Sequence, residues 1–160
     1  MNATIKTFPA TKFIGKCLSF TYADYRVFEL WSSFMPRRNE IQNAIGSELY
    51  NIQINPEDFD FQPTTPFVKW AAVAVSTFEN IPDEMQTLEI PEGLYAVFNY
   101  KGDQNNVASF FKSIYTEWLP NADYELGTHP QFEILGEKYK NNSPESEEEI
   151  WIPIKRKTEV

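Results

Sequence analysis

The side chains in this sequence best suited to chemistry are one carboxylate and a set of aromatic rings. Glu149 opens the segment Glu149-Ile150-Trp151-Ile152-Pro153-Ile154, which alternates as a strand does. With a period of two, Glu149 and Trp151 share one face and the three isoleucines share the other. The isoleucines form a natural core face against helices, so Glu149 and Trp151 are expected to point into a cleft. A carboxylate boxed by rings suits a lipophilic cation: the rings supply cation–π attraction and apolar burial, the carboxylate the counter-charge. Glu149 also closes the acidic run Glu145-Ser146-Glu147-Glu148-Glu149, the pattern of a solvated face. Trp118, Tyr115 and Phe111 lie on a helical stripe whose default role is core packing, with one edge able to reach the cleft. Tyr95 alternates with Leu94 and Ala96, and a cleft-facing phenol there would donate a hydrogen bond. Trp70 precedes Ala71-Ala72, which leaves room beside its ring. His129 and Cys17 read as structural.

Composition removes most other chemistries. A single cysteine and a single histidine exclude an internal disulfide and multi-Cys or multi-His zinc sites, so neither metal nor cofactor is expected. No nucleophile triad is visible, and six glycines leave little material for a phosphate-cradling loop. The formal charge of −9, from 14 basic and 23 acidic side chains, disfavours nucleic acid and anionic membranes as direct partners. The longest clean apolar run, Trp70–Val75, falls far short of the roughly 20 residues of a membrane span. With no signal-peptide pattern at the N-terminus, the expected location is the cytoplasm.

The elements that must position these residues follow from periodicity. Val107, Phe110, Phe111, Ile114, Tyr115 and Trp118 make one apolar stripe at helical spacing, stopped by Pro120; Val27, Leu30, Trp31 and Phe34 make another, stopped by Pro36. Helices are therefore expected near 23–35 and 104–119. Strand signals cover Thr11–Lys16, Leu49–Ile54, Phe67–Thr77, Leu94–Tyr100, Gln131–Leu135 and Glu149–Ile154. Segment 79–93 reads as a connection and 136–148 as a polar loop. Pro36 and Pro120 stand 84 residues apart, and that offset also superposes Trp31 on Tyr115, Phe34 on Trp118, Leu30 on Ile114 and Val27 on Phe111. The expected fold is one α+β domain over residues 1–160. It is built of duplicated βαββ units (about 1–80 and 90–156) with pseudo-two-fold symmetry, an antiparallel sheet and two main helices around a central cleft.

Pro91-Glu92-Gly93-Leu94-Tyr95-Ala96-Val97-Phe98, the Phe110–Trp118 helix with Leu119-Pro120, Tyr124-Glu125-Leu126, Pro130-Gln131-Phe132-Glu133 and Glu149–Ile154 occur in that order. In this they resemble the GyrI-like family, the effector-binding domains of bacterial multidrug-responsive transcription activators. The resemblance is strongest over 90–155. It implies two βαββ repeats around a ligand cleft, with a glutamate at the start of the last motif lying at the pocket base. Nothing resembling the family's DNA-reading domain precedes residue 4, so a stand-alone member is expected. The implied function is sensing or sequestration of hydrophobic, cationic small molecules. Two alternatives come with the family. One is hydrolysis of cyclopropane-containing alkylating compounds, with Glu149 as general base and Tyr95 bonding the oxyanion. The other is an inhibitory contact with DNA gyrase.

Overall fold

The computed structural model of the chain describes residues 1–140 and 143–157. Asn141 and Asn142, within the expected polar loop, and the last three residues lie outside the described residues. Nine strands are formed among the described residues: β1 (Thr4–Phe8), β2 (Thr11–Phe20), β3 (Leu49–Ile54), β4 (Phe67–Val75), β5 (Gln86–Ile90), β6 (Gly93–Lys101), β7 (Tyr124–Leu126), β8 (Gln131–Leu135) and β9 (Glu147–Arg156). Helix α1 spans Val27–Phe34 and runs into a 3₁₀ segment, Met35–Glu40. Helix α2 spans Gln104–Ser113, continues as a π turn over Ile114–Trp118, and ends in a short α3, Leu119–Asn121.

Every strand pair is antiparallel, and the order across the sheet is β1-β6-β9-β8-β3-β4-β2-β5, with β7 pairing separately with β9. Read from the β8–β3 junction outward, each half repeats the same sequence of roles, so a pseudo-two-fold axis passes between β8 and β3. The repeated βαββ units are therefore present as expected. Strands β1 and β2 follow each other across Pro9-Ala10, yet one is an edge strand and the other lies near the opposite edge. So short a link requires the sheet to curl until its two ends approach.

The curl gives the sheet an inner and an outer face. On the inner face sit Phe8, Phe13, Ile52, Trp70, Tyr95, Phe132 and Trp151, closely packed; Tyr95 and Phe13 are fully buried. On the outer face α1 covers β2 and β4 with Leu30 and Phe34 against Ile14, Ala71 and Val73. Helix α2 and its π turn cover β6 and β9, with Ile114 against Phe98, Ile150 and Ile152. Both helices lie on the same face because each buries its apolar stripe on the even-numbered or odd-numbered row that its own half directs outward. Between them β3 and β8 lie side by side, flanked by a helix on each side. They form the floor of a trough.

Three strands were not expected from patterning. β1 is almost wholly exposed except at Phe8, β5 falls in the segment read as a connection, and β7 is three residues long. Helix α1 also begins at Val27 rather than near 23: Ala23 and Asp24 are held in a turn by the Pro63 carbonyl and the Thr21 hydroxyl, and Arg26 stands at the N-cap without a side-chain cap bond.

Candidate functional site

The floor of the trough is polar. On the outer face β3 presents Asn51 and Gln53, and β8 presents Gln131 and Glu133, paired Asn51 to Glu133 and Gln53 to Gln131. Lys69 on β4 stands beside Gln53, and Glu148 lies diagonally from Glu133 on β9, two residues along from Glu133's partner Ile150. Gln53, Lys69 and Glu148 are all buried, in a protein whose other described buried polar side chain is Ser146. Polar groups are expensive to hold in such a place without partners, so their concentration in one strip marks it out.

The walls are aromatic, and the pseudo-symmetry is visible in them. Trp31 of α1 donates its indole N–H to Asn51 Oδ1 at 3.4 Å, while Tyr115 of the π turn donates its hydroxyl to Gln131 Oε1 at 2.6 Å. These two residues are the pair superposed by the 84-residue offset. The π turn widens the helix by a residue and so aims Tyr115 at the floor, a distortion common at functional positions. One end of the trough is roofed by the β3–β4 connection, tied to the β2–α1 turn by the Ala23 N–H bond to the Pro63 carbonyl at 2.8 Å. Its Phe59 and Phe61 continue a line of rings: Tyr22 to Phe59 at 6.4 Å, Phe59 to Phe61 at 4.8 Å and Phe61 to Tyr115 at 5.8 Å. Phe61 holds φ at 58°, in the left-handed region that a bulky residue rarely occupies.

The carboxyls of the floor are electrostatically unusual. Burial pushes Glu148 up to about 9, with the charge of Glu133 and a hydrogen bond to it adding to the rise and Lys69 opposing it. As a carboxylate its sealed Oε2 has no donor to accept from; as an acid it donates to Glu133. Lys69 is lowered by burial, with Glu133, Tyr22 and Glu148 pulling the other way. Burial and then the charge of Glu133 push the Tyr25 phenol at the trough's edge up to about 12. Tyr115 is likewise raised by burial.

The residues singled out from sequence are divided by the sheet. Glu149 and Trp151 do share a face, but it is the inner one, since Ile150 and Ile152 pack under α2 on the outer face. Glu149 accepts the Trp151 indole N–H at 3.1 Å, and Trp151 stacks on Phe132 at 5.4 Å. The register therefore carries Glu149 away from the trough, and Glu148 is the carboxyl of this strand that reaches it. Tyr95 and Trp70 also belong to the inner core. The Tyr95 hydroxyl is committed to the Pro130 carbonyl at 2.8 Å, so it does not stand as a free donor to an oxyanion beside Glu149. Trp118 and Phe111 pack with the α2 core, Trp118 edge-on to Phe98 at 5.1 Å. Of the expected set, Tyr115 alone touches the trough. Lys69 and Gln53 were missed, although a lysine inside the apolar run Phe67–Val75 was a signal in itself.

A separate cavity of about 530 Å³ opens at the end of the inner face, lined among others by Phe8, Lys12, Ile45, Glu48, Tyr50 and Glu89. Burial, then Glu48 and Glu149, push the Tyr50 phenol up to about 12. Its own carboxylates Glu48 and Glu89 are exposed and hence screened by solvent, whereas the trough holds a buried carboxyl. The trough is the stronger candidate on that ground.

The fold is a duplicated βαββ sheet with an aromatic trough between its helices, and known proteins share it. The chain belongs to the GyrI-like family, matching the GyrI-like small molecule binding domain over residues 1–155. It is 28% identical over 156 residues to the transcriptional regulator BrlR of Pseudomonas aeruginosa, covering 96% of this chain and 56% of BrlR. The chain thus spans about half the length of the curated relative it matches. Among solved structures it resembles SAV2435 bound to tetraphenylphosphonium, with a TM-score of 0.75, 16% identity and coverage of 97% of this chain and 94% of that one. It also resembles the C-terminal domain of EcmrR, with a TM-score of 0.71, 15% identity and 98% coverage of both chains. Among the described residues no helix is long and apolar enough to cross a membrane.

Proposed function

We propose that the trough binds hydrophobic, cationic small molecules, for sensing or sequestration. The observation that carries this reading is the buried Glu148 carboxyl bonded to Glu133, on a floor whose neighbouring amides, Asn51 and Gln131, are held by Trp31 and Tyr115 from the two walls. A protonated Glu148 with Glu133 beside it forms an adaptable counter-charge. With no ligand the proton on Glu148 limits the cost of its burial, and an arriving cation favours its loss and gains a full carboxylate partner. The rings add apolar contact and the attraction of their π faces for positive charge. Tetraphenylphosphonium, the ligand of the similar SAV2435, has this chemistry: one diffuse positive charge inside four phenyl groups.

The test is a fluorescence titration of the chain with tetraphenylphosphonium and with neutral triphenylphosphine oxide, read through the tryptophans. Binding of the cation at least ~10-fold tighter than the neutral compound is expected, the scale of one partly buried charge contact. Equal affinities would remove the carboxyl pair from the recognition of ligands.

A further inference from the structure

Lys69 is not accounted for by cation binding. It stands in the middle of β4, hydrogen-bonded through its backbone into strands on both sides, with its side chain on the trough floor and only 4% of its surface exposed. A buried lysine is ordinarily held by a carboxylate within ion-pair distance. Among the described residues Lys69 makes no ion pair and no hydrogen bond through its ammonium group, although Glu133 and Glu148 lie near enough to act on its charge. Its surroundings are Tyr22 and Gln53, themselves bonded to each other at 3.1 Å, with the Phe59–Phe61 roof closing that end of the trough.

We propose that Lys69 forms a reversible imine with aldehydes or ketones carried on an aromatic or hydrophobic body. This deepens the reading of the trough as a ligand site and adds carbonyl compounds to its ligands. An amine desolvated by burial and held in no direct ion pair is present more often as the free base, the nucleophilic form. The neighbouring carboxyls supply what the reaction needs beyond the amine. The Nζ lone pair attacks the carbonyl carbon and a C–N bond forms, while the oxygen takes a proton from the acid of the pair. The nitrogen gives a proton back to the carboxyls. The C–O bond then breaks as a second proton reaches the departing oxygen, and the nitrogen loses its second proton by the same relay. Both protons that leave nitrogen end on the water released, so amine and carbonyl give imine and water with no oxidant or reductant. The burial that lowers Lys69 and raises Glu148 fits these two roles.

The experiment treats the full chain with benzaldehyde and sodium cyanoborohydride at neutral pH, followed by intact-mass measurement and peptide mapping. Reduction traps the imine as a stable benzyl-amine. Lys69 is expected to be labelled at least ~10-fold faster than each of the exposed lysines. Lys69→Arg should abolish that fast adduct while leaving surface labelling unchanged. Should that variant fail to fold, Glu148→Gln keeps the shape of the floor and is expected to slow labelling of Lys69 roughly 10-fold, again without effect on surface lysines. Labelling that simply follows exposure, with Lys69 no faster than the rest, overturns the proposal. Tetraphenylphosphonium binding is measured in the same samples. Cation binding without Lys69 labelling would overturn imine formation alone, whereas fast Lys69 labelling without cation binding would overturn the cation reading alone.

Discussion

Glu148 links the trough to pH. Its folded value of about 9 lies above the ordinary 4.5, so between those values the folded state keeps a proton that the unfolded chain has lost. The stabilisation is full below about pH 4.5 and is lost as pH rises toward about 9. Lys69, lowered from 10.5, acts with the opposite sign and toward the alkaline end of the range. Glu148→Gln should remove the carboxyl's contribution to the slope. We expect the variant to match the parent within about 0.5 kcal/mol at pH 5 and to exceed it by about 1–3 kcal/mol at pH 8 in denaturant unfolding. A difference equal at both pH values would mean that Glu148 is ionised throughout. The same residue shows why the site was only half legible. Sequence periodicity placed the isoleucines of β9 against a helix and Glu149 on the reverse side. What patterning does not reveal is that both helices lie on one face, so the trough between them is floored by β3 and β8, and Glu148, on the isoleucine side of β9, is the carboxyl of that strand turned toward it. In a strand a shift of one residue exchanges the faces. The alternation along β9 was readable; which of its two faces the helices leave open was not.

At the scale of elements, the long strands and both helices were legible because their apolar rows are uninterrupted. Leu49–Ile54 and Gln131–Leu135 fall on the expected residues. Strands β1 and β5 were not, since their side chains are mostly exposed and their apolar rows are too short to alternate visibly. The π turn has no sequence signature either, yet it sets the position of Tyr115. One requirement of the sheet can be tested by adding a single methyl group. A Cβ on Gly15 would run into the Ala71 carbonyl oxygen and stand 2.7 Å from Ala72 Cα, because β2 and β4 pass too closely for a side chain there. Gly15→Ala should lower stability by about 2–4 kcal/mol, as forced overpacking against backbone does. Gly136→Ala, whose nearest neighbour would be Glu48 Cγ at 4.0 Å, should change it by less than about 0.5 kcal/mol. Comparable losses in thermal unfolding of the two variants would contradict the close approach of these strands.

The molecule as a whole is a sheet curled on an aromatic core, with its two helices laid outside on either side of a pseudo-two-fold axis. Duplication places like residues on both walls, Trp31 opposite Tyr115, and sequence divergence at the floor supplies the asymmetry, Lys69 on one half and Glu148 on the other. A formal charge of −9 also draws cations toward the molecule from a distance. The association rate of tetraphenylphosphonium should therefore fall as salt rises, while the dissociation rate, set inside the trough, should change little; a salt-insensitive association rate in stopped-flow would exclude steering. The central claim is that ligand binds in the trough between the helices and not on the inner face. Calorimetric titration with tetraphenylphosphonium of the parent, the double variant Glu133→Gln/Glu148→Gln, and Glu149→Gln tests it most directly. The account predicts a loss of roughly 10–100-fold for the double variant and less than about 3-fold for Glu149→Gln. A large loss with Glu149→Gln and an unaltered double variant would contradict it and place the ligand among Trp151, Phe132 and Tyr50 instead.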